Sequence, residues 1–155
     1  ELLTFKVVGS IPYQITSPLV HKLLMSTPQP QVICLVIQKE VAQKIVAAPP
    51  RASYLSNFVG AFAKAKVVRW IKPGAFRPQP KVDSAIIKIT PRVRTDGLPP
   101  QKFSRFLHRG FAHPRKMLNK AFPEKVLQEA GINPQARAQE LELQQWLNLL
   151  QKVGG

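Results

Sequence analysis

Near the start of the chain, Gly9-Ser-Ile-Pro-Tyr13 follows a compact apolar run at residues 5–8. The run is too short for a helix and is rich in valine, so it predicts a buried strand that ends at Gly9. Pro12 has no amide proton to give to a sheet and biases Ile11 toward extended geometry, which places Tyr13 on a loop. Open α/β sheets bind their ligands on loops at the C-terminal ends of parallel strands. An aromatic ring held there by a proline suits the stacking of a flat base. The same pattern also suits an ordinary strand-to-helix connection whose tyrosine packs on its neighbours, and the loop alone leaves both readings open. A second aromatic, Phe76, sits in a proline-rich loop further on. If both loops lie at one end of a sheet, the two rings are expected on one rim of a cleft.

Several elements must hold these loops in place. Thr16 or Ser17 can cap a helix with Pro18 in its first turn and Leu19, Val20, Leu23 and Leu24 as its apolar residues. Residues 31–37 predict a second buried strand, nearly continuous in apolar β-formers as in parallel sheets. Val41, Ile45 and Val46 predict a helix over 39–46, and Leu55, Phe58, Val59 and Phe62 predict another over 54–63. Residues 67–71 and 85–89 read as an antiparallel pair joined by the loop that carries Phe76. The breaker cluster at 95–100 marks a boundary between a domain of residues 1–97 and a domain of residues 98–155. Beyond it the pattern is helical. Phe103, Phe106 and Leu107 open it, residues 115–122 and 124–130 follow, and Gly131 stops the latter. A last helix over 142–153 places Leu143, Trp146, Leu147 and Leu150 on one face. Aromatics at this spacing belong to a core rather than to a ligand platform.

The 155 residues are 45% hydrophobic, which predicts a globular chain with a real core. Their net charge of +15, from 23 Lys and Arg against 8 Asp and Glu, points to a polyanionic partner. No apolar run approaches the roughly 20 residues of a membrane-spanning helix, and the basic residues are not gathered on one amphipathic helix. The N-terminus lacks a signal-peptide pattern. The single cysteine, Cys34, lies in an apolar run and reads as a core residue of a reducing, cytoplasmic protein. His21, His108 and His113 are scattered without metal-ligand spacing, so no metal is expected. The basic residues crowd two regions: Lys64, Lys66, Arg69, Lys72, Arg77, Lys81, Lys88, Arg92 and Arg94 in the first, then Arg105, Arg109, Arg115, Lys116 and Lys120 in the second. Singly each is a solvated charge. As a set facing one groove they would neutralise phosphates and make binding steeply salt-dependent.

Four segments, in order, resemble one family. Gly9-Ser-Ile-Pro-Tyr13 with Gln14-Ile-Thr-Ser-Pro18 resembles the Asn-Leu/Ile-Pro-Tyr motif of the ribosomal RNA adenine N6,N6-dimethyltransferases. Phe76-Arg-Pro-Gln-Pro-Lys-Val-Asp-Ser84 is similar to their Phe-x-Pro-x-Pro-Lys-Val-x-Ser segment. Phe111-Ala-His-Pro-Arg-Lys-Met-Leu118 is similar to their Phe-x-x-Arg-Arg-Lys-x-Leu helix, with Pro114 where the first Arg stands. Ala130-Gly-Ile-Asn-Pro134 and Arg137-Ala-Gln-Glu-Leu141 resemble their C-terminal helices. The resemblance implies an α/β fold: the C-terminal half of a Rossmann-like class I methyltransferase sheet, followed by a small helical rRNA-binding domain. It also implies S-adenosylmethionine-dependent dimethylation of adenine N6 in small-subunit (16S-type) rRNA during ribosome biogenesis. The catalytic positions would then be Ser10, Pro12, Tyr13 and Phe76, with Ser10 and Ile11 bordering the cofactor. Arg77, Lys81, Arg92, Arg94, Arg105, Arg109, Arg115, Lys116 and Lys120 would contact RNA.

Adenine N6 is a poor nucleophile because its lone pair is delocalised into the ring. The site must therefore orient it and accept its protons. The family is thought to use the motif's Asn side chain and the carbonyl before Pro-Tyr for this. Ser10 stands at the Asn position, a shorter acceptor without the amide's fixed donor–acceptor pair. The family's glycine-rich cofactor turn is not among these residues, so the expectation is a truncated product that is inactive alone. Its first strand would then form an exposed sheet edge, expected to be covered by residues absent from this sequence, paired with a partner chain or poorly soluble. A second hypothesis is a non-catalytic basic RNA-binding module acting in ribosome assembly.

Overall fold

The computed structural model describes residues 4–93 and 96–154. The chain divides into two compact units, residues 1–46 with 62–95 and residues 47–61 with 96–155. Division by sequence at 97 differs from this in residues 47–61, whose Tyr54 stacks on His108 at 4.1 Å and shares a 2.8 Å hydrogen bond with Ser104.

The first unit is a sheet with strand order β1-β2-β4-β3, where β1 is Lys6–Ser10, β2 Val32–Gln38, β3 Ala63–Ile71 and β4 Ser84–Pro91. β1 runs parallel to β2, from Lys6↔Val32 to Ser10↔Val36, while β4 is antiparallel to both β2 and β3. Helices α1 (Thr16–Met25) and α2 (Lys39–Ile45) follow β1 and β2. Burial in β2 alternates: Ile33, Leu35 and Ile37 are at most 1% exposed, whereas Val32, Cys34 and Val36 are half-buried. The continuous apolar run of β2 is therefore covered fully on one face only, because its partner β4 is antiparallel and the sheet is mixed. Cys34 lies on the less covered face rather than in the core. Ile33, Leu35 and Ile37 join Ile87 and Ile89 of β4, Val20 and Leu24 of α1, and Ala42 and Ile45 of α2 in the core. Each large aliphatic side chain buried there contributes about 1.5–3 kcal/mol.

Local boundaries depart from expectation in instructive ways. β1 extends through Gly9 to Ser10, so Ser10 ends a strand instead of opening a loop. α1 begins at Thr16 after a single 3-10 turn at Tyr13–Ile15, and Thr16 is buried within the helix rather than capping it. β3 begins at Ala63 directly after a helix, four residues before the expected start. Its Ala-Lys-Ala-Lys opening has low strand propensity, and the register with Thr90 and Pro91 imposes the extended form.

The second unit contains α3 (Tyr54–Phe62, through residue 61), α4 (Pro100–Phe111), α5 (Glu124–Glu129) and α6 (Leu143–Val153). Its core is aromatic. The fully buried Trp146 meets Phe106 edge-on at 6.0 Å and Phe122 at 6.5 Å, and stacks on Phe111 at 5.3 Å. Gly110 of α4 makes room for the indole, since a Cβ there would lie 2.6 Å from its Cζ3. On α6, Leu149 is buried with Trp146 and Leu150, while Leu143 and Leu147 are half-buried. Gly131 ends α5 at φ +71°, the left-handed conformation that its residue type permits. The helix expected over 115–122 is absent. Residues 112–117 form turns, Met117 makes an isolated antiparallel bridge with Arg137, and a 3-10 turn covers Leu118–Lys120. The Leu118 and Asn119 amides donate instead to the Ala136 and Pro134 carbonyls at 2.8 and 3.1 Å, so pairing with the 134–137 segment replaces the helical bonds.

Candidate functional site

At the C-terminal end of β1, one cleft of about 180 Å³ gathers the expected aromatic and backbone positions. Ser10, Ile11, Pro12 and Tyr13 form one wall, and Phe76, Pro78 and Pro80 form another. Val36 and Ser84 complete the lining. No charged side chain is among them.

Each wall has a local cause. Pro12, at φ −56° and ψ 138°, turns the chain out of β1, and its carbonyl accepts a hydrogen bond from the Ile15 amide at 3.2 Å. Tyr13 thus opens a 3-10 turn with its ring in the cleft. Its hydroxyl lies 3.2 Å from the Ser84 hydroxyl, and Ser84 is fully buried at the start of β4. Phe76 follows the 3-10 turn Pro73–Ala75, where its amide donates to the Pro73 carbonyl at 3.1 Å. The loop is tied at its base by Asp83, whose carboxylate lies 3.2 Å from the Lys72 ammonium and 3.3 Å from that of Lys39. Hydrogen bonds from Lys72 and Lys39 hold the Asp83 carboxyl below the usual carboxylate range. That contribution is present at neutral pH and is lost as acid protonates the group.

The structure brings Ser10, Ile11, Pro12, Tyr13 and Phe76 together, as their loops suggested. Ser84 and Val36 were missed as lining residues. Ser84 closes the Phe76–Ser84 segment, and its place directly before the strand expected at 85–89 was the available signal. Replacing Ser84 with Ala is expected to free the Tyr13 hydroxyl and cost about 0.5–1.5 kcal/mol of ring ordering. Broadened Tyr13 ring resonances in an NMR spectrum would register it; an unchanged ring environment would show that Ser84 does not hold the ring.

The basic positions divide between the units. Arg77 and Lys81 are exposed in the loop that carries Phe76. Arg92 donates to the Ala63 carbonyl at 3.1 Å and so braces the start of β3. Arg94 lies outside the described residues. In the second unit Arg105, Arg109, Arg115, Lys116 and Lys120 are all exposed. Arg109 is partly engaged, donating to the Ala121 carbonyl at 2.9 Å with its guanidinium 4.6 Å from the Phe122 ring centroid. Arg105 leans along its own helix toward the Gln101 carbonyl at 3.4 Å. Among the described residues no group of three or more His, Cys, Asp or Glu side chains is gathered as a metal site.

Comparison with known proteins gives one consistent result. The sequence signature of the family ribosomal RNA adenine dimethylase matches residues 3–153. Ribosomal RNA small subunit methyltransferase A of Rippkaea orientalis is 44% identical, over 96% of this chain and 61% of its own length. The protein of the same name from Nostoc punctiforme is 37% identical, over 96% of this chain and 57% of its own length. The chain therefore spans about three fifths of these curated relatives. Among solved structures, a dimethyladenosine transferase from Plasmodium falciparum superposes with a TM-score of 0.83 at 26% identity, covering 97% of this chain and 68% of that one. The 23S rRNA methyltransferase ErmE superposes with a TM-score of 0.71 at 26% identity, covering 98% and 66%.

Proposed function

The chain belongs to the ribosomal RNA adenine dimethylase family, and on that premise we propose that it supplies the adenine-facing part of an enzyme that dimethylates adenine N6 in small-subunit rRNA. Its sheet and helices have the α/β methyltransferase fold. The observation that carries the proposal is the uncharged cleft in which Tyr13 and Phe76 share a lining with Ser10 and Ile11.

In this reading a flipped adenine enters the cleft and stacks on Tyr13, with Phe76 on the opposite wall. Ser10 and the Ile11 carbonyl, at the end of β1, accept hydrogen bonds from the N6 protons and turn the lone pair outward. Pro12 keeps this backbone extended. An uncharged lining favours a neutral base over its phosphates, which the surrounding cations hold instead.

S-adenosylmethionine is the cofactor of this family and supplies the electrophilic methyl group when bound. The cleft of about 180 Å³ is below the roughly 300–1,000 Å³ of sites for drug-sized ligands. No carboxylate or glycine-rich turn lines it. Ser10 and Ile11 are the positions of this chain proposed to border the donor.

The test joins this chain to the donor-binding region of a curated relative and measures N6,N6-dimethyladenosine in unmodified small-subunit rRNA by nucleoside mass spectrometry. Formation of the modified nucleoside supports the proposal. Salt-sensitive RNA binding without methylation, while the relative's own protein methylates, would leave the chain as an RNA-binding module. Within the helical unit, Arg115 and Lys116 are proposed to contact phosphates. Changing both to Ala is expected to weaken RNA binding about equally for all sequences and to flatten its salt slope; a sequence-selective loss at unchanged slope would contradict that.

Among the described residues no helix is long and apolar enough to cross a membrane, and ribosome assembly in the cytoplasm is the proposed setting. β1 lies at one end of the strand order, with Val8 79% exposed and Phe5 39%. We read its outer edge as a pairing edge. Sedimentation at micromolar concentration is expected to show association between chains, and a strictly monomeric species at every concentration would refute it.

A further inference from the structure

One face of the β3–β4 pair carries a hollow of about 510 Å³ lined by Lys64, Lys66, Lys88, Ala65 and Thr90. Lys66 stands directly opposite Lys88, and Lys64 opposite Thr90, so three ammonium groups occupy two neighbouring rungs. Like charges directly opposite one another destabilise a sheet. No acid among the described residues of the unit is placed to offset this. Its only acids among the described residues are Glu40, paired with Lys44 at 2.8 Å, and Asp83, paired with Lys72 and Lys39. The three lysines are exposed, and a bound polyanion would relieve their mutual repulsion.

The strand register says what shape that molecule has. Ser84, Ile86, Lys88 and Thr90 alternate onto the same face of β4. Ser84 lines the Tyr13 cleft and Lys88 lines the hollow. Four residues of strand separate them, roughly 13 Å, a distance that a few nucleotides can bridge. The hollow has the small Thr90 side chain beside its lysines, while Ala65, paired with Ile89, belongs to the other face; it lacks the aromatic anchors of protein interfaces, whose cores are depleted in lysine. We propose that Lys64, Lys66 and Lys88 form a phosphodiester-backbone subsite for the RNA strand flanking the adenine that occupies the Tyr13 cleft. The location of that adenine rests on the function proposed above; the lysine subsite rests on charge and register.

The test measures fluorescence anisotropy of the full 155-residue chain with a labelled single-stranded RNA over a potassium chloride series. The triple variant Lys64→Gln, Lys66→Gln, Lys88→Gln is expected to reduce the slope of log K against log salt by about 2, at roughly 0.7 for each phosphate that is no longer neutralised. The corresponding triple Arg variant should retain the slope, which separates removal of charge from a damaged sheet. Tyr13→Ala should lose preference for adenine-containing over all-pyrimidine RNA while keeping the slope; failure of that arm alone would remove the adenine reading and leave the lysine subsite standing. An unchanged slope in the Gln variant overturns the proposal.

Discussion

Tyr13→Ala is expected to lower adenine methylation by one to two orders of magnitude in the joined enzyme described above. Removing an aromatic platform for one base costs about 1–3 kcal/mol, and each 1.36 kcal/mol or so is tenfold in rate. The ring lines the cleft beside Ser10 and Phe76 and is tethered to Ser84 at 3.2 Å, so its loss leaves the base without a fixed plane. Tyr13→Phe isolates the two contributions. It keeps the stacking face and loses only the tether, so its deficit should match that of Ser84→Ala, and the double variant should be no worse than either single one. Methylation by Tyr13→Ala at the wild-type rate would remove the stacking role outright.

Trp146→Ala is expected to destabilise the helical unit by about 3–5 kcal/mol, the usual range for truncating a buried large aromatic. The indole is fully buried and touches the rings of Phe106, Phe111 and Phe122. Its truncation opens a cavity walled by rigid rings that cannot collapse into it. Trp146→Phe should cost much less. The indole Nε1 is buried without a hydrogen-bond partner, so the shorter ring gives up packing but also removes an unsatisfied donor. Gly110→Ala probes the same packing from α4, where the added methyl meets the indole, and should cost about 1–3 kcal/mol. Urea denaturation followed by far-ultraviolet circular dichroism measures all three. An Ala variant as stable as the parent would mean that Trp146 is not the centre of this core.

Much of the site was legible in the chain because its parts are local. A short β-rich run ahead of Pro12 and Tyr13 reads as a strand leading into a loop, since proline removes a donor, although the strand runs through Gly9 to Ser10. Phe76 among Pro73, Pro78 and Pro80 had to lie on a loop for the same reason. The net charge pointed to a polyanion without any geometry. Gly131 at the end of α5 was readable because few other residue types accept a positive φ. The helix expected over 115–122 is absent because the Leu118 and Asn119 amides bond to the Ala136 and Pro134 carbonyls, partners that periodicity does not show.

Sequence alone thus determined the strand-to-loop character of the cleft walls, the helical nature of the second unit, the aromatic content of its core and the family resemblance. Tertiary structure decided the rest, because the remaining features depend on partners distant in sequence. Tyr13 and Ser84 are 71 residues apart, and their hydrogen bond exists only because β4 lies next to β2. The extended form of Ala63 to Lys66 comes from pairing with β4, against its own weak propensity. Lys66 and Lys88 oppose each other through the same pairing. Periodicity reports which residues share a face of one element, but the register between elements is set by the packing of the whole sheet, and that register is what gathers the cleft and the lysine hollow on one face.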